Sequence, residues 1–231
     1  MLEDFIKLYK KSKPIASIPA CSDTNYSIFS LKKGLPVTLV STKHRLDEIY
    51  PLEGFYSFTE RHPKFWMIPI ATCTNKIVGF IVRGSEEKEY RTIFEPKALS
   101  PLFGWESFKD FSLGNPLVLC EGVKDAIYLK QFYPYVLSLN TSSISVSNLE
   151  IIRKITDKII LSYDNDDTGR RMSKIDNDML IKLGIRSTVI RPTHKDCAEY
   201  LENSQGESDY LSMLDSSLMM MKGDNCGIIK K

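Results

Sequence analysis

From residue 113 onward the chain alternates short apolar runs with amphipathic stretches, and this alternation limits the possible folds more than any other feature. The apolar runs at 117–121, 135–139, 157–163 and 185–191 each read as a buried strand. Between them, 123–132, 147–154 and 168–183 carry apolar residues at helical spacing, the first at Val123, Ala126, Ile127 and Leu129. Ser147 stands where a helix wants an N-terminal cap, and Gly184 where one stops. Strands joined by helical crossovers run parallel, and a parallel sheet is covered on both faces. Residues 113–205 are therefore predicted to form one α/β domain with helices on both faces of its sheet. A short helix at 198–203 lies near its end, and residues 206–231 form a C-terminal helix and tail, with a Met-rich helix at 207–221.

Residues 1–112 read as a smaller α+β subdomain. An amphipathic helix at 3–11 is stopped by Lys13-Pro14, and β-branched or aromatic runs at 36–42, 65–71 and 76–83 predict strands. Thr74-Asn75-Lys76 predicts a hairpin turn between the last two, and 85–89 a charged loop.

With 231 residues, 42% of them hydrophobic, the chain can bury a substantial core. Its 31 Lys and Arg nearly cancel 29 Asp and Glu, so any contact with nucleic acid must come from a local basic patch or from metal ions. Cysteines at 21, 73, 120, 197 and 226 make no C-x-x-C pair, which argues against a zinc module and for unpaired thiols. No apolar run is long enough to span a bilayer, and the charged N-terminal stretch is wrong for a signal peptide. A cytoplasmic protein without a membrane partner is expected.

Acids gather where the parallel strands end, the edge at which open α/β sheets bind ligands. Glu121 closes the first strand, with Asp125 one helical turn later on the same face. Asp164, Asp166 and Asp167 follow the third strand in Asp164-Asn165-Asp166-Asp167-Thr168-Gly169, and Lys195-Asp196 follows the fourth. Asp and Asn also collect after strands simply because they make turns and caps. Three such clusters on one sheet edge need more explanation. Converging carboxylates repel and raise one another's pKa values unless a cation intervenes. Oxygen donors without His or Cys favour Mg²⁺ or Mn²⁺, whose open positions suit phosphates, and the expected reaction class is phosphoryl transfer.

The runs Glu121-Gly122-Val123-Lys124-Asp125, Asp164-Asn165-Asp166-Asp167-Thr168-Gly169 and Lys195-Asp196 resemble the three motifs of TOPRIM domains, across 113–205. Such domains occur in bacterial-type primases, type IA and II topoisomerases and small nucleases of the OLD kind. The resemblance implies a general acid/base role for Glu121, and a Mg²⁺ (or Mn²⁺) site drawn from Glu121, Asp164, Asp166 and Asp196. It also makes Asp125 a second catalytic acid, as in the primases. Upstream, Phe65-Trp66-Met67-Ile68-Pro69-Ile70, Ile77-Val78-Gly79-Phe80-Ile81-Val82-Arg83 and the stretch ending Leu102-Phe103-Gly104 resemble the passage before TOPRIM in DnaG-like primases. Lys195-Asp196-x-x-Glu199 resembles the primase half of phage helicase-primases, which implies a phage-infected or bacterial cell. The chain departs from many bacterial primases in having Ala198 where they carry another aspartate.

Three functions follow. The resemblance implies a DNA primase-like nucleotidyltransferase that makes short primers on a single-stranded DNA template from NTPs. Arg83, Arg91, Lys97 and Lys195 would be its template or nucleotide contacts, and a replicative helicase or other replisome subunit its partner. A TOPRIM nuclease, or a non-catalytic replisome DNA-binding protein, remains open. Trp66 and Trp105 read as packing in the N-terminal subdomain, and His62 and His194 as solvated loop residues. The apolar face at 210–221 reads equally as a docking surface and as packing that closes the TOPRIM domain.

Overall fold

The computed structural model describes residues 17–21, 26–30, 38–41, 64–71, 77–84, 90–94, 102–105, 108, 111–112, 114–201 and 203–222. The expected helix at 3–11, the turn at 74–76, the loop at 85–89, His62, Lys97 and the tail beyond residue 222 lie outside them. The chain divides into two compact units, Met1–Pro101 and Leu102–Lys231.

In the first unit, β1 (Ser17–Cys21) and β2 (Tyr26–Ser30) form an antiparallel pair. A second antiparallel sheet has the order β3-β4-β5-β6, from Thr38–Ser41, Lys64–Ala71, Ile77–Gly84 and Tyr90–Phe94. Strands β4 and β5 pair as the predicted hairpin, with Ile68 opposite Ile81. The inner strand β5 buries Val78, Phe80, Ile81 and Val82. Strands β1, β2 and β6 escape a sequence reading because Ser, Pro, Thr and Arg break their apolar residues into runs of one or two.

The second unit runs β7 (Leu117–Cys120), α1 (Val123–Leu129), β8 (Val136–Ser138), α2 (Val146–Ile152), β9 (Lys158–Ser162), α3 (Asp167–Lys182), β10 (Arg186–Val189). A 3-10 helix (Cys197–Leu201) and α4 (Glu207–Lys222) complete it. Its four strands are parallel, in the order β10-β9-β7-β8. Side chains alternate across each strand. Leu117, Leu119, Leu137, Leu139, Ile159 and Leu161 share one core with Ile152 of α2 and Leu180 of α3. On the other face Tyr210 of α4 hydrogen-bonds the Ser162 hydroxyl at 2.6 Å, and the Tyr128 hydroxyl of α1 donates to Glu207 at 2.6 Å. The sheet is thus covered on both sides.

Several local features differ from expectation. The second unit starts before residue 113: Phe103 exchanges backbone hydrogen bonds with Ser138 at the β8 edge, and Trp105 is buried in the core of the parallel sheet. Trp105 therefore does not pack in the N-terminal subdomain. Ser145, and not Ser147, caps α2, because Ser145 holds the extended backbone a cap needs and its hydroxyl accepts from the Asn148 N–H at 3.2 Å. Helix α1 stops at Leu129, leaving Phe132 exposed, and residues 197–201 form a 3-10 turn. Gly184 does follow the end of α3, at φ 75°. Helix α4 uses its apolar face internally, burying Tyr210, Leu214, Leu218 and Met221, while Met219 and Met220 stay exposed. Among the described residues, no helix is long and apolar enough to cross a membrane.

Asp176 joins three elements of this unit. Its buried carboxylate accepts from the Tyr163 hydroxyl at 2.7 Å and the Ile144 N–H at 2.9 Å, tying α3 to the end of β9 and the entry of α2. Burial raises its pKa, and the two donors offset part of the rise. Asp176→Ala would leave both donors buried and unpaired, which costs about 3 kcal/mol. A fall in thermal midpoint larger than that of Asp178→Ala, an exposed position on the same helix, is the expected result.

Candidate active site

The order β10-β9-β7-β8 means that the chain passes from β7 outward to β8 on one side and, after crossing back, from β9 outward to β10 on the other. Loops diverge at such a switch, and a crevice opens at the carboxyl ends of the two inner strands. Glu121 follows β7 and Asp164 follows β9, so both stand at this crevice. They meet directly: Glu121 Oε1 accepts the Asp164 backbone N–H at 3.2 Å. The Glu121 main chain is held from β8, its carbonyl accepting from the Asn140 N–H at 2.9 Å and the Ser138 hydroxyl at 3.0 Å.

Gly169 explains the closeness of these two acids. A Cβ there would run into the Asp164 carbonyl and come within 2.8 Å of Glu121 Oε1, so only glycine lets the start of α3 approach. Asp166 caps that helix, Oδ1 accepting from the Gly169 N–H at 2.9 Å. Arg170 braces the turn, donating to Asn165 and to the Asp167 carboxylate at 2.6 Å.

The β9 and β10 loops are tied as well. The Asn165 N–H donates to the Lys195 carbonyl, and Asn165 Nδ2 to the Pro192 carbonyl at 3.0 Å. Asp196 lies in the tied loop and starts the 3-10 helix, its Oδ1 accepting from the Glu199 N–H at 3.0 Å. His194 is less free than expected: Nε2 lies 3.0 Å from the Gln205 carbonyl and the ring meets Tyr200 edge-on.

The expected pairing of Glu121 with Asp125 on one helical face does not occur. Gly122 is extended, at φ −101° and ψ 153°, and α1 begins only at Val123, so the two acids are not one turn apart on a helix. Glu121 turns to the β9 loop. Asp125 is 5% exposed and turns to the β10 loop, where Oδ1 accepts from the Ala198 N–H at 3.0 Å and the Cys197 thiol at 3.2 Å.

Negative charge concentrates here. Burial, then repulsion from Asp164, pushes Glu121 up to about 7, although the Asp164 N–H holds it back. Burial, then Asp196 and Asp166, pushes Asp164 up to about 6, with Lys195 opposing the rise. Burial, then Asp196 and Asp164, pushes Asp125 up to about 7. Among the described residues nothing donates a hydrogen bond to the Asp164 carboxylate. The donors are all oxygen and mutually repelling, which suits a hard divalent cation. Among the described residues, no three such groups already stand in a metal-holding arrangement. A cation here would keep several of its waters, as Mg²⁺ commonly does.

Arg83 and Arg91 lie in the other unit, on β5 and β6, where Arg83 pairs with Tyr90 and Arg91 with Val82. Sequence reasoning did not find Asn165, Arg170, Asn140 or Ser138, which act through backbone contacts that have no fixed spacing.

Residues 118–201 match the Toprim-like family. The chain is 30% identical over 151 residues to a DNA primase of Helicobacter pylori, covering 62% of this chain and 27% of that protein. It is 22% identical over 163 residues to a DNA primase of Clostridium acetobutylicum, covering 67% of this chain and 27% of that one. The chain thus spans about a quarter of the length of these relatives. Among solved structures, a DnaG catalytic core superposes with a TM-score of 0.60 at 16% identity, over 80% of this chain and 71% of that one. A DNA primase domain from Pseudomonas aeruginosa gives 0.61 at 15%, over 78% and 65%. Residues 118–201 of the second unit are thus similar to Toprim-like domains, and about four fifths of the chain has a fold similar to that of primase catalytic cores.

The raised carboxyls have a sign that can be measured. Glu121 titrates at about 7 in the folded chain, against about 4 for an unfolded glutamate. The folded state therefore holds more protons between those values, and stability falls as pH rises across that window. In metal-free buffer the thermal midpoint should drop over this range. Glu121→Gln, whose Oε1 still accepts from Asp164, should flatten the drop and raise the midpoint above pH 7. A variant less stable than the parent there would overturn the charge-repulsion account.

Proposed function

We propose that this chain forms the catalytic core of a DNA primase-like nucleotidyltransferase, which joins NTPs into short primers on single-stranded DNA. The observation that carries this reading is the extent of the similarity. The Toprim-like match ends at residue 118 on its N-terminal side, whereas the DnaG-core fold covers 80% of the chain and so takes in strands before the Toprim-like segment. A nuclease built on a Toprim domain alone would not call for that preceding unit.

In this reading Glu121, Asp164, Asp166 and Asp196 hold Mg²⁺ or Mn²⁺ at the switch point. A divalent cation held there would supply positive charge for phosphoryl transfer. Glu121 is the acid suited to exchange a proton with the substrate, because it stands at the crevice beside Asp164. Oε1 is occupied by the Asp164 N–H, which leaves Oε2 as the atom to receive the proton of a primer 3′-hydroxyl. Asp166 has a second duty as helix cap, so the helix start and the metal site are built together. Exposed Lys195 would meet a substrate phosphate, and Arg83, Arg91 and Lys97 the template or nucleotide. A replicative helicase or another replisome subunit would deliver the template.

Single-stranded DNA, labelled NTPs and Mg²⁺ or Mn²⁺ test the proposal, with products sized on a gel. Short RNA chains are expected, and Asp164→Ala should reduce them by roughly 100-fold or more. Template shortening without NTP incorporation would replace the polymerase reading with the nuclease one. Arg83→Ala with Arg91→Ala should weaken single-strand binding and lower its salt slope by about 0.7 per lost contact. An unchanged slope would place the template elsewhere.

A further inference from the structure

Asp125 resembles a catalytic acid by its place in the motif, and its surroundings give it different work. It lies in the first turn of α1, yet its carboxylate is withdrawn from solvent. Oδ1 is occupied by two donors more than seventy residues away in sequence, the Ala198 N–H and the Cys197 thiol. Oδ2 lies 2.7 Å from where a Cβ on residue 122 would be, so Gly122 leaves the space that lets the carboxylate sit there.

What Asp125 grips is the start of the 3-10 helix that Asp196 begins. Asp196 accepts the Glu199 N–H from within the loop, while Asp125 accepts the Ala198 N–H from α1. Two carboxylates thus take up successive backbone donors at one helix start. The loop is held at its other side by Asn165 and at its far end by the Tyr200 hydroxyl, which lies 2.8 Å from the Thr193 N–H. Removing the Asp125 carboxylate would free the Ala198 N–H and leave between this turn and α1 the longer Cys197 thiol contact to the Asp125 carbonyl, at 4.0 Å, and the Tyr128–Tyr200 ring contact.

We infer that Asp125 is a positioning residue: its carboxylate oxygen latches the Ala198 backbone to α1 and so sets where Asp196 stands relative to Asp164. The latch needs an acceptor oxygen at this place and does not need a negative charge. It rests on the proposed active site only in what Asp196 does once it is in place.

Asp125→Asn and Asp125→Ala, made in the full chain, separate the acceptor from the charge. Two readouts are taken: amide hydrogen exchange of the segment 195–201 without metal, and primer synthesis as a function of Mg²⁺. Asn keeps a carbonyl oxygen for the Ala198 N–H, so protection of the segment and primer synthesis should both stay within a few-fold of the parent. Ala removes the acceptor. Exchange there should then speed up by about tenfold or more, and synthesis should require more Mg²⁺ while approaching the parent rate at saturation. Loss of synthesis in Asp125→Asn would overturn the latch and return a charge-dependent role to this carboxylate. So would unchanged protection in Asp125→Ala. If the Ala variant does not fold, the Asn variant alone decides by the same two criteria. If the parent makes no primers, the proposed function fails while exchange still judges the latch.

Discussion

Strand β7 is bonded in parallel on both sides, to β8 and to β9, and every feature of the acidic crevice follows from that position. A strand with neighbours on both edges and helices on both faces must be apolar throughout, and Leu117 to Cys120 are all fully buried. Polar groups can first appear where the strand ends, which is at Glu121. The same holds for β9, where five consecutive buried residues lead through Tyr163 to Asp164. Because the chain turns one way on leaving β7 and the other way on leaving β9, a crevice opens above these two ends. The acids stand in a half-buried place where water screens them incompletely, and their proton affinities rise accordingly.

The two neighbouring carboxyls that have risen most are built differently. Glu121 shares a hydrogen bond with the backbone of the residue it repels, so attraction to an amide and repulsion from a carboxylate act on it together. Asp125 is hydrogen-bonded and buried, and its charge neighbours lie in the loops it helps to hold. A raised proton affinity therefore marks the crevice as a region without assigning each member a task. Hydrogen-bond partners make that distinction.

Much of the second unit was legible in the sequence because burial on both faces leaves continuous apolar runs. Residues 157–163 were read as a strand, and Lys158–Ser162 is one. Boundaries were less legible. The cap of α2 moved from Ser147 to Ser145 because two serines two residues apart offer the same chemistry, and only backbone angle chooses between them. Trp105 belongs to the core of the parallel sheet because Phe103 pairs with β8, a tie across 35 positions that no local pattern announces. For the acids, sequence placed all of them at one sheet edge. The i, i+4 rule failed for Glu121 and Asp125 because one extended glycine separates strand from helix. Placing Arg83 and Arg91 on neighbouring strands was within reach of the apolar pattern for β5 alone, since β6 is short and mixed.

The bond between the Asn165 N–H and the Lys195 carbonyl joins two acid-bearing loops through main-chain atoms only. A link of this type is indifferent to the side chains at either end. The spacing of the two loops at this one point is thereby separated from the identity of the residues that carry it, while the side-chain ties of Asn165 and Asp125 act beside it. A change of side chain at Lys195 would therefore alter the charge beside the crevice and leave this link in place, because the carbonyl that makes it is common to every residue.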